Sequence, residues 1–111
     1  MSRVLCALAD LPDPGAKGPI RVTIDGEAKA VFVVRVGDIL TAWIDSCPHL
    51  GAPLEMEEDR FLDLTGGEII CAVHGARFHP ETGACLWGPC RNGRLTPYPI
   101  RVVDGSIVAA V

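Results

Sequence analysis

The chain contains no cluster of Lys or Arg, and its 10 basic residues are outnumbered by 14 acidic ones, for a formal charge of −4. That removes the positive footprint on which nucleic-acid binding depends. Long apolar runs are missing too. The longest near the start, Val4 to Ala9, ends at Asp10, too short for a signal-peptide core and far too short to span a bilayer. The expectation is a cytoplasmic protein without membrane attachment. Long stretches free of helix breakers are also lacking, because 12 Gly and 9 Pro in 111 residues well exceed the roughly 12% those two types usually total. An all-helical bundle is disfavoured, and no tandem repeat marks a solenoid. With 49% hydrophobic, 22% charged and 5% aromatic residues, what remains is one soluble domain too small for a second independent core.

Turn dipeptides divide what is present. Residues 19–24 (PIRVTI), 28–36 (AKAVFVVRV) and 38–44 (DILTAWI) are β-branched runs separated by Asp25-Gly26 and Gly37-Asp38, which predicts a meander of short strands. At the other end, 95–103 (LTPYPIRVV), the Asp104-Gly105 turn and 106–111 (SIVAAV) predict a closing hairpin. Pro97 and Pro99 place the first half of that hairpin at an edge. Between these ends, residues 46–93 collect all three histidines and much of the Gly, Pro and Cys, and apolar alternation survives only at 68–72. This middle segment reads as an insertion with its own task.

Five cysteines, an odd number, cannot all be paired, and without a secretion signal cysteines point to metal or catalysis. Two short stretches echo each other: Cys47-Pro48-His49-Leu50-Gly51-Ala52 and Cys71-Ala72-Val73-His74-Gly75-Ala76. Each presents a thiol and an imidazole and then Gly-Ala, as two loops must when they curl around one centre. The spacing is Cys-x-His, 21 residues (50–70), then Cys-x-x-His. Four such ligands suit a tetrahedral zinc ion or a two-iron cluster with two thiolates and two imidazoles. The paired Cys-x-x-Cys knuckles favoured by zinc sites are missing.

The segments CPHLGAPL (47–54) and CAVHGARF (71–78), with Gly88-Pro89 and the later L-x-x-Y-P-I of 95–100, resemble the Rieske family of iron–sulfur proteins. The resemblance covers most of the chain. Its one departure is a spacer longer than small Rieske ferredoxins usually have, with the excess at 56–67. It implies an all-β fold: an antiparallel β-sandwich or partial barrel from residues 1–45 and 94–111, with the cluster-binding subdomain 46–93 inserted. By the same resemblance Cys47 and Cys71 hold one iron of a [2Fe–2S] cluster, His49 and His74 hold the other, and Gly88-Pro89 belongs to a covering loop. The implied function is a soluble electron carrier, monomeric and not itself an enzyme. It would pass single electrons from an NAD(P)H-dependent flavin reductase to a terminal oxygenase. A subunit of a larger oxidoreductase, of the nitrite reductase small-subunit kind, and a redox sensor are the alternatives.

Further residues refine this reading. High-potential relatives carry extra cysteines and hydroxyl donors at positions matching Ala52, Val73, Ala76 and Phe78, where this chain has none. Its potential is therefore expected near or below about −100 mV, in a Rieske range of roughly −150 to +300 mV. Once two histidines serve the cluster, His79 alone cannot build the two-His-one-carboxylate triad of a mononuclear iron oxygenase; an exposed turn is expected there. Cys85 and Cys90 are expected to be small buried thiols near the cluster, and Cys6 a core residue. Trp87 and Phe78 are expected to shield the sulfides, with an ordinary core position equally open to Phe78. The acidic run Glu55, Glu57, Glu58 and Asp59 reads as a solvated loop, or as a docking surface for a basic patch on a partner.

Overall fold

A computed structural model describes residues 4–46, 59, 61–62, 66–71, 75–88 and 93–110. Among them are nine strands and one 3₁₀ turn: β1 (Val4–Ala7), the turn Leu8–Asp10, β2 (Gly15–Ile24), β3 (Glu27–Val36), β4 (Ile39–Ile44), β5 (Ile69–Ile70), β6 (Arg77–Phe78), β7 (Cys85–Trp87), β8 (Ile100–Val103) and β9 (Ser106–Ala109). They form three antiparallel sheets, ordered β2-β3-β4, β1-β9-β8 and β5-β6-β7. The fold is all-β. No helix among the described residues is long and apolar enough to cross a membrane.

Turn chemistry sets the registers. Asp25-Gly26 and Asp104-Gly105 both hold positive φ at their two central positions (51° and 80°; 50° and 76°). This is the two-residue hairpin geometry whose twist matches that of the flanking strands. It pairs Ile24 with Glu27 and Val103 with Ser106.

Strand β2 begins earlier than expected, at Gly15 instead of Pro19, and the ladder with β3 slips between Lys17 and Ile20. Pro19 has no N–H to give, and the Gly18 N–H goes to the Asp59 carboxylate at 2.8 Å. The strand therefore bulges and resumes. The expected strand 95–103 also divides. Only Ile100–Val103 pairs in the closing hairpin. Residues 96–98 instead lie along β4: the Ile44 N–H donates to the Thr96 carbonyl, the Tyr98 N–H donates to the Ala42 carbonyl (both 2.9 Å), and Pro97 bridges Trp43. With proline on either side, Tyr98 supplies the donor this edge needs.

Strand β3 is buried on both faces over residues 31–34, and its alternation there builds two cores. Val31 and Val33 join Cys6, Leu11, Val22, Ala42, Tyr98, Ile107 and Ala109 on the side of the terminal hairpin. Phe32 and Val34 join Trp43, Phe61, Ile69, Cys71, Ala76, Phe78 and Leu95 on the other. The β2-β3-β4 sheet is thus the central layer, with the terminal strands packed on one face and the small β5-β6-β7 sheet on the opposite one.

Candidate metal centre

Strands β5 and β6 pair Ile69 with Phe78 and Ile70 with Arg77, which makes residues 71–76 the end of a hairpin. Its base is closed twice. The Cys71 N–H donates to the Ala76 carbonyl and the Gly75 N–H donates to the Cys71 carbonyl, each at 2.8 Å. Cys71 is a free cysteine with no exposed surface. Of the four residues singled out by spacing, Cys71 alone lies among the described residues; Cys47, His49 and His74 lie outside them. The described residues on either side are fixed: β4 ends where the Asp45 N–H donates to the Ala30 carbonyl at 2.8 Å, and Cys71 and Gly75 are held by the hydrogen bonds just given.

The third strand of this sheet backs onto Gly75 and Ala76. A Cβ on Gly88, whose φ is +105°, would stand 2.8 Å from the Ala76 Cα, and one on Gly75 would stand 3.8 Å from the Trp87 ring. Only glycine at 88 allows the two backbones to approach so closely. The turn 79–84 is held by Gly83 N–H to the His79 carbonyl (2.8 Å) and His79 N–H to the Ala84 carbonyl (3.0 Å). It is tied to the central sheet by the Thr41 hydroxyl, which donates to the Pro80 carbonyl at 2.7 Å and accepts from the Trp43 indole N–H at 3.0 Å.

Four expectations need revision or sharpening. His79 does lie in a turn, but half-buried, and its Nδ1 accepts the Glu81 N–H at 3.1 Å. Cys85 is a half-buried, disulfide-bonded residue, not a buried thiol. Its Sγ lies 3.7 Å from the Trp87 carbonyl oxygen, over the 86–88 stretch. Its disulfide partner lies outside the described residues, as does Cys90. Phe78 is fully buried in the core behind the hairpin, whereas Trp87 is 65% exposed, so the two flank the loop from opposite environments.

The acidic run falls largely outside the described residues, but Asp59 does not. Its carboxylate accepts the Gly18 N–H, its own N–H donates to the Gly18 carbonyl at 2.7 Å, and Lys17 Nζ is 3.7 Å from Oδ2. Asp59 is thus an anchor of the long spacer on the β2 bulge. No local pattern joins positions 18 and 59, so sequence reasoning had no signal for it.

Cys6 is nearly buried in the other core, and that burial pushes its thiol pKa up, with Lys17 partly opposing. Since only the thiolate reacts, Cys6 is expected to alkylate slowly with iodoacetamide at pH 8 in the folded protein and rapidly in denaturant. Peptide mass mapping at timed intervals checks this.

Residues 2–103 match the family model of the Rieske [2Fe-2S] domain. The chain is 33% identical to the anthranilate 1,2-dioxygenase ferredoxin subunit of Burkholderia cepacia over 79 residues, covering 71% of this chain and 68% of that protein. Among solved structures it resembles the ferredoxin of carbazole 1,9a-dioxygenase from Nocardioides aromaticivorans IC177 (TM-score 0.73, 28% identity, 99% of this chain and 97% of that one). It also resembles a chain in the complex of reduced oxygenase and oxidized ferredoxin of carbazole 1,9a-dioxygenase (TM-score 0.75, 30% identity, 98% and 92%).

The family match over residues 2–103 and the ferredoxin relatives place this small all-β chain among iron–sulfur electron-transfer domains. The protein belongs to the Rieske family, and its cofactor is a [2Fe–2S] cluster. What is described of the site fits that group: Cys71 is buried and not paired with another cysteine, which leaves its sulfur free to serve as a thiolate ligand to iron.

Proposed function

We propose that Cys47, His49, Cys71 and His74 hold the cluster, and that the protein carries single electrons from an NAD(P)H-dependent flavin reductase to a terminal oxygenase, as a cytoplasmic monomer. The observation that carries this is Cys71: a free, fully buried thiol at a hairpin base closed by two hydrogen bonds, in the Cys-x-x-His context. When bound, a cluster with two imidazole and two thiolate ligands supplies reversible one-electron chemistry at a potential above that of all-cysteine clusters. The chain's own residues set the surroundings. Ala76 and Phe78, both fully buried, offer no hydroxyl beside the second loop, so hydrogen-bond support for added negative charge is low.

The test is the absorption and low-temperature EPR spectrum of anaerobically purified protein before and after dithionite, with metal and sulfide analysis. Reconstitution with a reductase and an oxygenase follows. A reduced Rieske-type signal, a midpoint near or below about −100 mV on the family's scale and oxygenase-coupled turnover are expected. A colourless protein containing zinc, refractory to iron–sulfur reconstitution, would overturn the ligand assignment. A midpoint above about +100 mV would overturn the low-potential reading.

A further inference from the structure

Large apolar side chains exposed among the described residues fall in two places. Val4, Val102 and Val103 lie on β1 and β8, and Leu86 and Trp87 lie together on β7 at 47% and 65% exposure. The second pair borders the candidate centre: the Trp87 ring is the near neighbour of Gly75, and Gly88 abuts Ala76. Resting on the reading above, we propose that Trp87, with Leu86 beside it, is the anchor by which a terminal oxygenase grips this end of the protein.

An electron crosses between two proteins over a short gap only, so a partner must cover the surface around the ligand loops, and 86–88 is part of that surface. A partner covering it removes an indole and an isobutyl group from water, the kind of burial on which interface affinity concentrates; Trp leads the residues that form such hot spots. Among the described residues, neighbouring charges contribute less. Arg77, on the neighbouring strand, and Glu68 are paired with each other at 3.2 Å, so that ion pair satisfies itself without a partner. The occupant is an oxygenase because the 30%-identical relative of near-equal length is found in complex with one.

The experiment uses the holoprotein with an oxygenase that supports wild-type turnover, starting from the oxygenase component of the Burkholderia cepacia anthranilate 1,2-dioxygenase. Trp87→Ala and Trp87→Phe are compared with wild type for half-saturating carrier concentration, kcat, cluster absorption and midpoint potential, at low and high NaCl. Trp87→Ala is expected to raise the half-saturating concentration about tenfold at unchanged kcat, spectrum and potential. Trp87→Phe should recover most of the loss, and added salt should change little because the contact is apolar. An unchanged half-saturating concentration would sink the proposal. So would an altered spectrum or potential, which would make the indole a cover for the cluster, or a defect confined to the reductase step. If wild-type protein with an intact Rieske signal drives no oxygenase at all, the functional reading itself fails and takes this one with it, an outcome distinct from the others.

Discussion

Cys71→Ser protein is expected to emerge colourless, with iron and inorganic sulfide near zero and no reduced Rieske-type EPR signal. Serine is close to cysteine in size but does not ionise at neutral pH, so it cannot replace a thiolate on iron. Position 71 is fully buried within the core that contains Phe61, Ile69 and Phe78. A hydroxyl there without a partner costs about 1–3 kcal/mol, a fraction of the ~5–15 kcal/mol typical of a domain, so far-ultraviolet circular dichroism should still report a β-sheet protein. Metal binding and folding are linked, and the variant's melting temperature is expected to fall by more than the hydroxyl alone explains. Cys6→Ser is the matched control, since Cys6 is the other free buried cysteine among the described residues and sits in the opposite core. It should lose comparable packing and keep full colour. If Cys71→Ser retained its cluster spectrum, the ligand assignment would fall.

What was legible in the sequence is what is local. The runs 28–36 and 38–44 and the Asp-Gly dipeptides gave β3, β4 and two hairpin turns to within a residue, because turn type and strand alternation depend on neighbours in the chain. The Cys-x-His and Cys-x-x-His spacing is local for the same reason: a loop short enough to present two ligands to one centre must carry them a few residues apart. Where long-range contacts decide, the residues were silent. Gly15–Lys17 joins β2 by pairing with residues 33–35 of β3 across a bulge, where Asp59, 41 positions away from Gly18, takes the amide left over. Residues 96–98 lie along β4 and not in the closing hairpin, a pairing with a strand more than 50 positions away that no local pattern reports. Cys85 shows the same limit in chemical form, since spacing does not report whether a sulfur stays a thiol or joins another cysteine in a disulfide.

The spacer is the part that departs from the family's pattern, and Phe61 fastens it to the frame. Its ring is fully buried and stacks on Phe32 of β3 with centroids 4.2 Å apart and planes 7° from parallel. The Phe61 carbonyl accepts the Ile70 N–H at 2.9 Å, and Leu62 bridges Ile69. Ile70 immediately precedes Cys71, so this one residue joins the central sheet, the spacer and the strand that carries the ligand loop. Phe61→Ala removes the ring and leaves a cavity against Phe32, a change that costs about 3–5 kcal/mol in well-packed cores. At roughly 4–8 °C per kcal/mol for a domain of this size, the apoprotein's melting temperature should drop by at least about 12 °C. Phe61→Leu, which keeps most of the volume, should cost about 1.5 kcal/mol or less, and Val102→Ala, on the exposed outer strand, should stay within about 0.5 kcal/mol of wild type. Thermal unfolding by circular dichroism ranks the three. In the holoprotein the same order should appear in the rate at which visible absorbance bleaches in air. A loosened β5 lets water and oxygen reach the Cys71 sulfur, whereas a loss confined to the outer sheet leaves the β5–β6 hairpin closed. Bleaching in Phe61→Ala no faster than in Val102→Ala would mean that the two hydrogen bonds at the hairpin base hold the ligand loop without help from the spacer.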